Sequence, residues 1–492
     1  MSFQGNEHSD MQSARSHRRG SKHDGGVTLR MTFGTLTEIS TFEHSKGGRP
    51  RPRWNDASFE PYPVDTSVAL AILRERFDRD QRPAAISFRE LVPWLKVGER
   101  ASHYLHPYPA KLLPHIAHFF LANHVLARAD ESVLDPFGGS GTVALETILS
   151  GRTALYADAN PLGRIITAVK TRSIDLTSLA VACAEVRERF RRSRVRKLPD
   201  VVNLAKWFDP HVSSELVRLR AAICAVEDET LRDFLRVTFS AVIRKVSNSD
   251  PRFSVPVRYA NGEARSCISA YDLFHVQLEA NIARIAALGQ VDTLGTATSA
   301  GIDARHLKTA LGEQLPDNSV GMIITSPPYA SAQKYVRAAS LSLGWLDLAP
   351  SSGLRRLEDQ TIGREHHAKA SWEDIGSTGI DDADALIATI ARQNQSRAKI
   401  VNTYLIEMRA ALTEAVRVLR PGGCFVLVIG DNTVCRRRFP SSDYLRIMLE
   451  EMGMTTILSL VDSIPSRGLM TRRNQTAGII TTESVILLRK EA

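Results

Sequence analysis

The segment that decides the fold is residues 132–142, which read SVLDPFGGSGT. The apolar pair Val133 and Leu134 predicts a strand, the glycines predict a tight turn, and a helical pattern begins at Thr142. The next strand is predicted at residues 154–157, ALYA, and it ends at the sequence DANP. A strand, a helix and a strand in this order indicate a parallel βαβ unit, so the chain is predicted to be an α/β protein.

Later parts of the chain return to the same alternation of strands and helices. Further strands are predicted near residues 298–303, 320–324, 424–429, 456–461 and 484–488. With the two strands of the βαβ unit, they make a predicted sheet of seven strands flanked by helices. A helix is predicted before the first strand, through Ile116 and Val125, whereas the stretch from about 350 to 395 is polar and has little apolar periodicity.

Residues 176–295 interrupt this alternation. Their apolar residues recur at helical spacing, for example at Leu216, Leu219 and Ile223, which predicts a mostly helical insertion. The insertion carries a dense basic run made of Arg187, Arg189, Arg191, Arg192, Arg194, Arg196 and Lys197. Such a run forms either a solvated helix face or a face that contacts phosphates, and the sequence leaves both open.

Composition and charge narrow the class of protein. The 492 residues are 43% hydrophobic and 24% charged, which is ordinary for a soluble globular protein. No apolar run approaches the roughly 18 residues that a membrane-spanning helix needs. We therefore expect no membrane segment. The scattered cysteines, with no secretory leader before them, predict a cytoplasmic location. The formal net charge of +9 favours a polyanionic partner, with nucleic acid as the first candidate.

The N-terminal residues, the cysteines and the histidines each allow a further prediction. Residues 1–60 are rich in Ser, Gly, His and Arg and include KGGRPRPR at 46–53, which predicts a flexible basic arm, either solvated or in contact with phosphates. The cysteines are predicted to be reduced and without a metal role because they form no close pair, and the scattered histidines 103, 106, 366 and 367 lack a third ligand, so no metal is expected. The cysteines are Cys183, Cys224, Cys267, Cys424 and Cys435.

The glycine loop and the carboxylate that follows it predict a cofactor site. Glycines at 138, 139 and 141 allow the backbone to turn tightly and to approach a ligand closely. Asp158 follows the next predicted strand, where a carboxylate can accept hydrogen bonds from ribose hydroxyls. The pattern indicates a cofactor that contains a nucleoside, although NAD fits poorly because the loop departs from GxGxxG. A glycine turn beside an unrelated surface Asp is the plainer alternative.

A second chemical motif follows the predicted strand at 320–324. Residues 325–329 read TSPPY, and the two prolines fix the chain so that the carbonyls of Ser326 and Pro327 point in set directions. A hydroxyl, a fixed carbonyl and the aromatic face of Tyr329 suit the grip of a planar base with an exocyclic amino group. The alternative is a Pro-Pro turn that only closes a strand.

Taken together, the motifs resemble those of a known family. HPYPAK at 106–111, DPFGGSGT at 135–142, DANP at 158–161 and TSPPY at 325–329 occur in a compatible order, and the combination resembles the amino-methyltransferases of DNA. The resemblance implies a Rossmann-like seven-stranded methyltransferase sheet with a mostly helical insertion, and S-adenosylmethionine as the cofactor. It also implies a division into a cofactor-binding half at 61–175, the insertion at 176–295 and a catalytic half at 296–492.

The resemblance assigns roles to individual residues. In that family the glycine loop holds the methionine part of the cofactor, the acid after the second strand holds the ribose and the acid after the third strand faces the adenine. The cofactor-binding candidates are therefore Asp135, Phe137, Gly139, Gly141, Asp158 and Asp303. The candidates that grip the target amine are Ser326, Pro327, Pro328 and Tyr329. Tyr108 and Lys111 either line the cofactor pocket or only form a proline-rich helix entry.

The expected reaction is direct transfer of the sulfonium methyl group to the exocyclic amine of a base flipped out of the duplex. Family members with Ser at the first position of this motif are mostly similar to cytosine-N4 enzymes, whereas Asp or Asn is commoner among adenine-N6 enzymes. No cysteine follows a proline, which argues against cytosine-C5 chemistry. DNA is the expected partner, within a restriction-modification setting. An adenine-N6 or RNA methyltransferase, a non-catalytic nucleic-acid-binding protein and, less favoured, a small-molecule methyltransferase remain alternatives.

Overall fold

The computed structural model describes residues 60–109, 111–259, 269–330, 334–463 and 480–492. Of the predicted basic arm at 1–60, only Glu60 belongs to the described residues. Residues 46–53 and Cys267 lie outside them. The helices are α1 (Ser67–Asp80), α2 (Phe88–Leu91), α3 (Pro114–Leu121), α4 (Thr142–Leu149), α5 (Pro161–Lys170), α6 (Leu176–Arg192), α7 (Leu204–Trp207), α8 (Pro210–Cys224), α9 (Glu229–Ile243), α10 (Ala270–Leu288), α11 (Tyr335–Trp345), α12 (Leu354–Asp359), α13 (Asp381–Ala391), α14 (Gln395–Val418) and α15 (Ser441–Glu451). The strands are β1 (Ala84–Ile86), β2 (Val133–Asp135), β3 (Ala154–Tyr156), β4 (Ala297–Ser299), β5 (Val320–Thr325), β6 (Leu419–Ile429), β7 (Asn432–Val434), β8 (Arg437–Phe439), β9 (Met454–Ser463) and β10 (Thr482–Lys490). None of the helices in these ranges combines the length and apolar character that crossing a membrane requires.

The core of the fold is an eight-stranded sheet with the strand order β1-β9-β10-β6-β5-β2-β3-β4. Neighbouring strands pair in parallel except at β10, which is antiparallel to both β6 and β9. The predicted Rossmann-like methyltransferase fold is confirmed, and all seven predicted strands are present. The described sheet has eight strands, one more than the seven predicted, because the short β1 pairs at the edge beside β9. With three residues, β1 is too short to show an alternating pattern.

The central strands are apolar because both faces of the sheet are covered. All six residues of β5 and all three of β2 are buried, as expected for parallel strands between two layers of helices. On one face, α13, α14 and α15 pack against the sheet and share a core that includes Ile323, Phe425 and Leu405. The chain reverses its direction of strand addition between β2 and β5, which opens a crevice at their carboxyl ends.

Between α5 and β4 the described chain is helical, with α6 to α10 in succession. These helices share a core with α5 and α11, through residues such as Ile166 and Trp345. The basic run at the end of α6 is partly ion-paired on its own helix, since Arg189 pairs with Glu185 at 3.1 Å and Arg192 with Glu188. The division of the chain into the four predicted regions stays a prediction.

Some local elements differ from the sequence expectation. The stretch from 350 to 395 contains α12 and α13, and α13 buries Ala383, Ile387 and Ile390 at helical spacing. Helix α13 was not predicted because its few apolar residues at helical spacing are surrounded by polar residues. The predicted helix through Val125 ends earlier, at Leu121.

Candidate active site

A cleft with an empty volume of about 700 Å³ lies at the carboxyl ends of β2, β3, β4 and β5. Loops that follow these strands supply most of its walls, as expected for ligand sites in open α/β sheets. The predicted site residues that line it are Phe137, Gly139, Asp158, Asp303, Ser326 and Pro328. The fold therefore brings the glycine loop, both acidic positions and the SPPY motif to one cavity.

The glycine loop depends on left-handed backbone conformations. Gly139 and Gly141 have φ values of +52° and +71°, which other residues rarely adopt. A Cβ atom at Gly141 would also lie 2.7 Å from the side chain of Thr167. Gly139 forms part of the cleft wall, whereas Gly141 is the N-cap of α4 and is not among the lining residues, so its predicted cofactor contact stays a prediction.

Asp158 closes the loop from the neighbouring strand. Its Oδ2 accepts a hydrogen bond from the Gly139 amide at 2.7 Å, and its Oδ1 accepts one from the Asn160 amide at 2.7 Å. Burial raises the pKa of Asp158 to about 6. The carboxylate keeps lone pairs for a further donor, because each oxygen can accept more than one hydrogen bond.

Asp135 supports the site from behind the cleft wall. The residue is only 5% exposed, and its Oδ1 accepts hydrogen bonds from the Phe137 amide at 3.1 Å and from Thr325 Oγ1 at 2.7 Å. Burial raises the pKa of Asp135 to about 7. Asp135 therefore joins the glycine loop to the strand that carries the SPPY motif. Asp135 is not among the residues that line the cleft, and its predicted contact with the cofactor stays a prediction.

Asp303 lines the cleft, but its carboxylate is already engaged. Arg305 donates from Nε to Oδ1 at 2.8 Å and from Nη2 to Oδ2 at 2.9 Å, and its amide donates to Oδ1 at 3.0 Å. Burial alone would raise the pKa of Asp303, but the hydrogen bonds from Arg305 outweigh it and the pKa is lowered. The predicted role toward an adenine ring stays a prediction.

The SPPY motif divides between two surroundings. Ser326 and Pro328 line the cleft, whereas Pro327 is buried. The Tyr329 hydroxyl donates to Glu483 Oε1 on β10 at 2.6 Å, and burial raises the pKa of Tyr329 well above its ordinary value. A Cβ at position 430 would lie 3.0 Å from the ring of Tyr329, so Gly430 leaves room for this aromatic.

The HPYPAK segment places one of its two candidate residues at the cleft. Tyr108 lines the cavity, and its hydroxyl accepts a hydrogen bond from Asn160 Nδ2 at 3.0 Å. Lys111 instead donates to the backbone carbonyl of His106. Nε2 of His106 lies 3.0 Å from Ser240 Oγ, and burial lowers the pKa of this histidine to about 3. Lys111 and His106 thus brace the segment from inside the protein.

A buried ionic cluster on α4 holds the chain that precedes this segment. Glu146 is fully buried and accepts hydrogen bonds from Nε and Nη2 of Arg100, each at 2.7 Å. His103 Nε2 lies 2.6 Å from Glu146 Oε1, and the Tyr62 hydroxyl donates to Oε2 at 2.9 Å. Burial would raise the pKa of Glu146, but the Arg100 guanidinium and the hydrogen bonds hold it well below its ordinary value. Sequence reasoning missed this cluster, since its members are spread from residue 62 to residue 146.

Several other cleft residues belong to no sequence motif, so their place in the cleft could not be predicted from the sequence. Tyr335 at the start of α11 lines the cavity, as do Gln360, Thr361 and Ile362 after α12. Asn160 belongs to the DANP motif and could have been proposed from its position beside Asp158. In the described ranges, no group of three or more His, Cys, Asp and Glu side chains is arranged to hold a metal ion.

Comparison with known proteins identifies methyltransferases as relatives. No family model matches the sequence. The chain is 21% identical over 412 residues to the type II methyltransferase M.MvaI of Kocuria varians, a match that covers 79% of this chain and 91% of that protein. A segment of 87 residues is 31% identical to the type II methyltransferase M.MjaII of Methanocaldococcus jannaschii, which covers 17% of this chain and 16% of that protein. The crystal structure of an S-adenosylmethionine-dependent methyltransferase of Methanosarcina mazei aligns with 78% of this chain and 99% of its own, at 11% identity and a TM-score of 0.29.

The first of these relatives is matched over 91% of its own length. This similarity supports the coarser part of the family prediction, a methyltransferase related to the type II enzymes. The choice between cytosine N4 and adenine N6 is a finer matter that these relatives leave open.

Proposed function

We propose that this protein is an S-adenosylmethionine-dependent DNA methyltransferase that modifies the exocyclic amine of a base, with cytosine N4 as the favoured target. The observation that carries the proposal is the single cleft that places Gly139 and Asp158 beside Ser326 and Pro328. The first group has the chemistry to hold a nucleoside cofactor, and the second has the chemistry to hold an amine. The similarity to type II methyltransferases supports the same reaction class and a role in restriction-modification.

The residues of the cleft fit S-adenosylmethionine as the methyl donor. The cleft is lined by both apolar and polar side chains, among them Phe137, Asp158 and Asn160, as is usual for small-molecule sites. Asp158 offers carboxylate oxygens to ribose hydroxyls, and the left-handed backbone at Gly139 lets a ligand approach the loop closely. When bound, the cofactor supplies an electrophilic methyl group on a sulfonium centre.

The chain itself contributes positioning of the target amine. Ser326 Oγ and the Pro327 carbonyl accept hydrogen bonds from the amine, because the prolines hold this backbone in one direction. Such acceptors favour a more tetrahedral nitrogen, whose lone pair is freer to attack than the lone pair delocalised into the ring. Tyr329 stacks on the flipped base, an interaction worth about 1 to 3 kcal/mol. Correct placement of two reactants contributes up to about 7 to 11 kcal/mol to lowering a barrier.

The preference for DNA and for cytosine rests on two further features. The net charge of +9 favours a polyanion over a small neutral substrate. Ser326 occupies the first motif position, where the family members that resemble cytosine-N4 enzymes mostly have Ser. An adenine-N6 or RNA base methyltransferase shares every other feature of the site and is the second candidate.

Analysis of cellular DNA tests this proposal. The full-length protein and the variant Ser326→Ala are each expressed in a host that lacks N4-methylcytosine, and digested nucleosides are quantified by mass spectrometry. We expect N4-methylcytosine with the wild-type protein and its loss with the variant. N6-methyladenine in its place would favour the second candidate. Equal modification by both proteins would refute the role given to Ser326.

Failure of the wild-type protein to bind S-adenosylmethionine in a calorimeter would instead favour a non-catalytic nucleic-acid-binding protein. The same titration of Ser326→Ala is the control for folding. This variant should bind the cofactor normally if Ser326 contacts the target amine.

A further inference from the structure

A short segment after α12 covers both halves of the cleft. We call Gln360–Glu365 the cover segment. Its residues Gln360, Thr361 and Ile362 line the cavity, together with Asp303 from the loop after β4. The next residue, Gly363, lies against the SPPY motif, since a Cβ placed there would be 3.6 Å from Pro328 Cβ. The cover segment therefore contacts the region of the cofactor and the region of the target base at once.

One carboxylate connects the cover segment to the loop after β4. Glu407 on α14 accepts hydrogen bonds from Arg364 Nη1 at 2.7 Å and 2.8 Å, and from Arg305 Nη1 at 3.2 Å. Arg305 in turn binds Asp303 and donates to the Gln360 carbonyl at 3.3 Å. The side chains of Glu407, Arg364 and Arg305 are only 14%, 16% and 22% exposed, so water screens these contacts weakly.

The charges of this cluster balance. Two guanidinium groups, on Arg305 and Arg364, face two carboxylates, on Asp303 and Glu407. Removal of the Glu407 charge would leave excess positive charge at the wall of a cleft that receives a sulfonium cation. It would also release Arg364, which donates to the Thr361 carbonyl at 3.3 Å.

We propose that Glu407 is a positioning residue that fixes the cover segment over the cofactor cleft by holding Arg305 and Arg364 together. This inference rests on the proposed function, because it takes S-adenosylmethionine as the ligand of the cleft. A second contact fixes the far end of the segment, where Lys334 Nζ lies 2.8 Å from Glu365 Oε2. Lys334 directly precedes the cleft residue Tyr335, so this ion pair links the cover segment to the start of α11.

The test compares Glu407→Gln, Arg364→Gln and the double variant with a matched control, Glu414→Gln. Glu414 is also a carboxylate on α14, but it pairs with Arg417 at 2.8 Å and accepts a hydrogen bond from the Leu307 amide at 3.0 Å. Within the described ranges, none of its hydrogen bonds or ion pairs reaches the cover segment. Calorimetry with S-adenosylmethionine and steady-state kinetics give affinity, kcat and KM for each protein. Hydrogen exchange of the amides at 360–365 reports on the segment without any ligand.

We expect Glu407→Gln to weaken cofactor binding about tenfold, to raise KM for the cofactor more than it lowers kcat, and to speed exchange at 360–365. The double variant should lose no more than the stronger single variant, because both substitutions break one network. Glu414→Gln should bind the cofactor within about twofold of wild type.

Two results would overturn the inference. Unchanged exchange at 360–365 in Glu407→Gln would show that the carboxylate does not hold the segment. Equal loss of affinity in Glu407→Gln and Glu414→Gln would show a general effect on α14. A wild-type protein that binds no S-adenosylmethionine contradicts the proposed function, and the exchange measurement still decides whether Glu407 fixes the segment.

Discussion

Replacement of Thr325 by valine removes the hydrogen bond that joins the two central motifs of the site. Thr325 is fully buried, and its hydroxyl donates to Asp135 Oδ1 at 2.7 Å. A hydrogen bond to a charged group contributes about 1.5 to 3 kcal/mol, against about 0.5 to 1.5 kcal/mol for one between neutral groups. Valine has nearly the same shape as threonine, so the loss is mainly that of the hydrogen bond. We expect Thr325→Val to lower the free energy of unfolding by about 1.5 to 3 kcal/mol where Asp135 is ionised.

The pKa of Asp135 gives this prediction a pH dependence. Burial raises its pKa in the folded protein to about 7, above the ordinary value of 3.8. Between these values the folded state holds a proton that the unfolded state has released, so this group makes the protein less stable as pH rises through the window. Above pH 7 the carboxylate is ionised and depends most on the Thr325 hydroxyl. The difference between wild type and Thr325→Val should therefore be larger at pH 8 than at pH 6.

Urea denaturation monitored by tryptophan fluorescence at pH 6 and pH 8 measures both effects. Thr325→Ser keeps the hydroxyl and is the matched control, with a smaller loss at pH 8 than Thr325→Val. If Thr325→Val is as stable as wild type at pH 8, or if the loss of stability is greater at pH 6, the Thr325 hydroxyl does not stabilise the ionised Asp135.

Three further predictions concern other parts of the site. Glu146→Ala should destabilise the protein by about 3 to 5 kcal/mol, since it leaves the buried Arg100 unpaired, and denaturant titration with Glu146→Gln as a milder control measures this. The affinity for S-adenosylmethionine should rise as pH increases through about 6, where Asp158 ionises and becomes a better acceptor, and calorimetry should find this slope absent in Asp158→Asn. Tyr329→Phe and Glu483→Gln should lower kcat to a similar extent, and their double variant should lose no more than either alone, because both remove the same 2.6 Å hydrogen bond. Additive losses in that cycle would count against a shared role.

Local patterns predicted most of the sheet and several of the residues at its edge. The apolar runs that became β2, β3 and β5 are contiguous, and glycines mark the turn after β2, so the sequence alone indicates a parallel α/β fold. The positions of Phe137, Asp158 and Ser326 followed from the same runs, because the ends of parallel strands meet at one edge of a sheet.

What the sequence determined about this protein is the succession of strands and helices along the chain, its glycine loop and its SPPY motif, since each depends on residues that are neighbours in the chain. The tertiary structure alone decided which of these residues face the cleft and which support it. Asp135 bonds to Thr325 across a separation of 190 residues, Arg305 engages Asp303, and Glu407 joins Arg305 to Arg364. Such contacts form only when distant segments pack together, so no local sequence pattern predicts them.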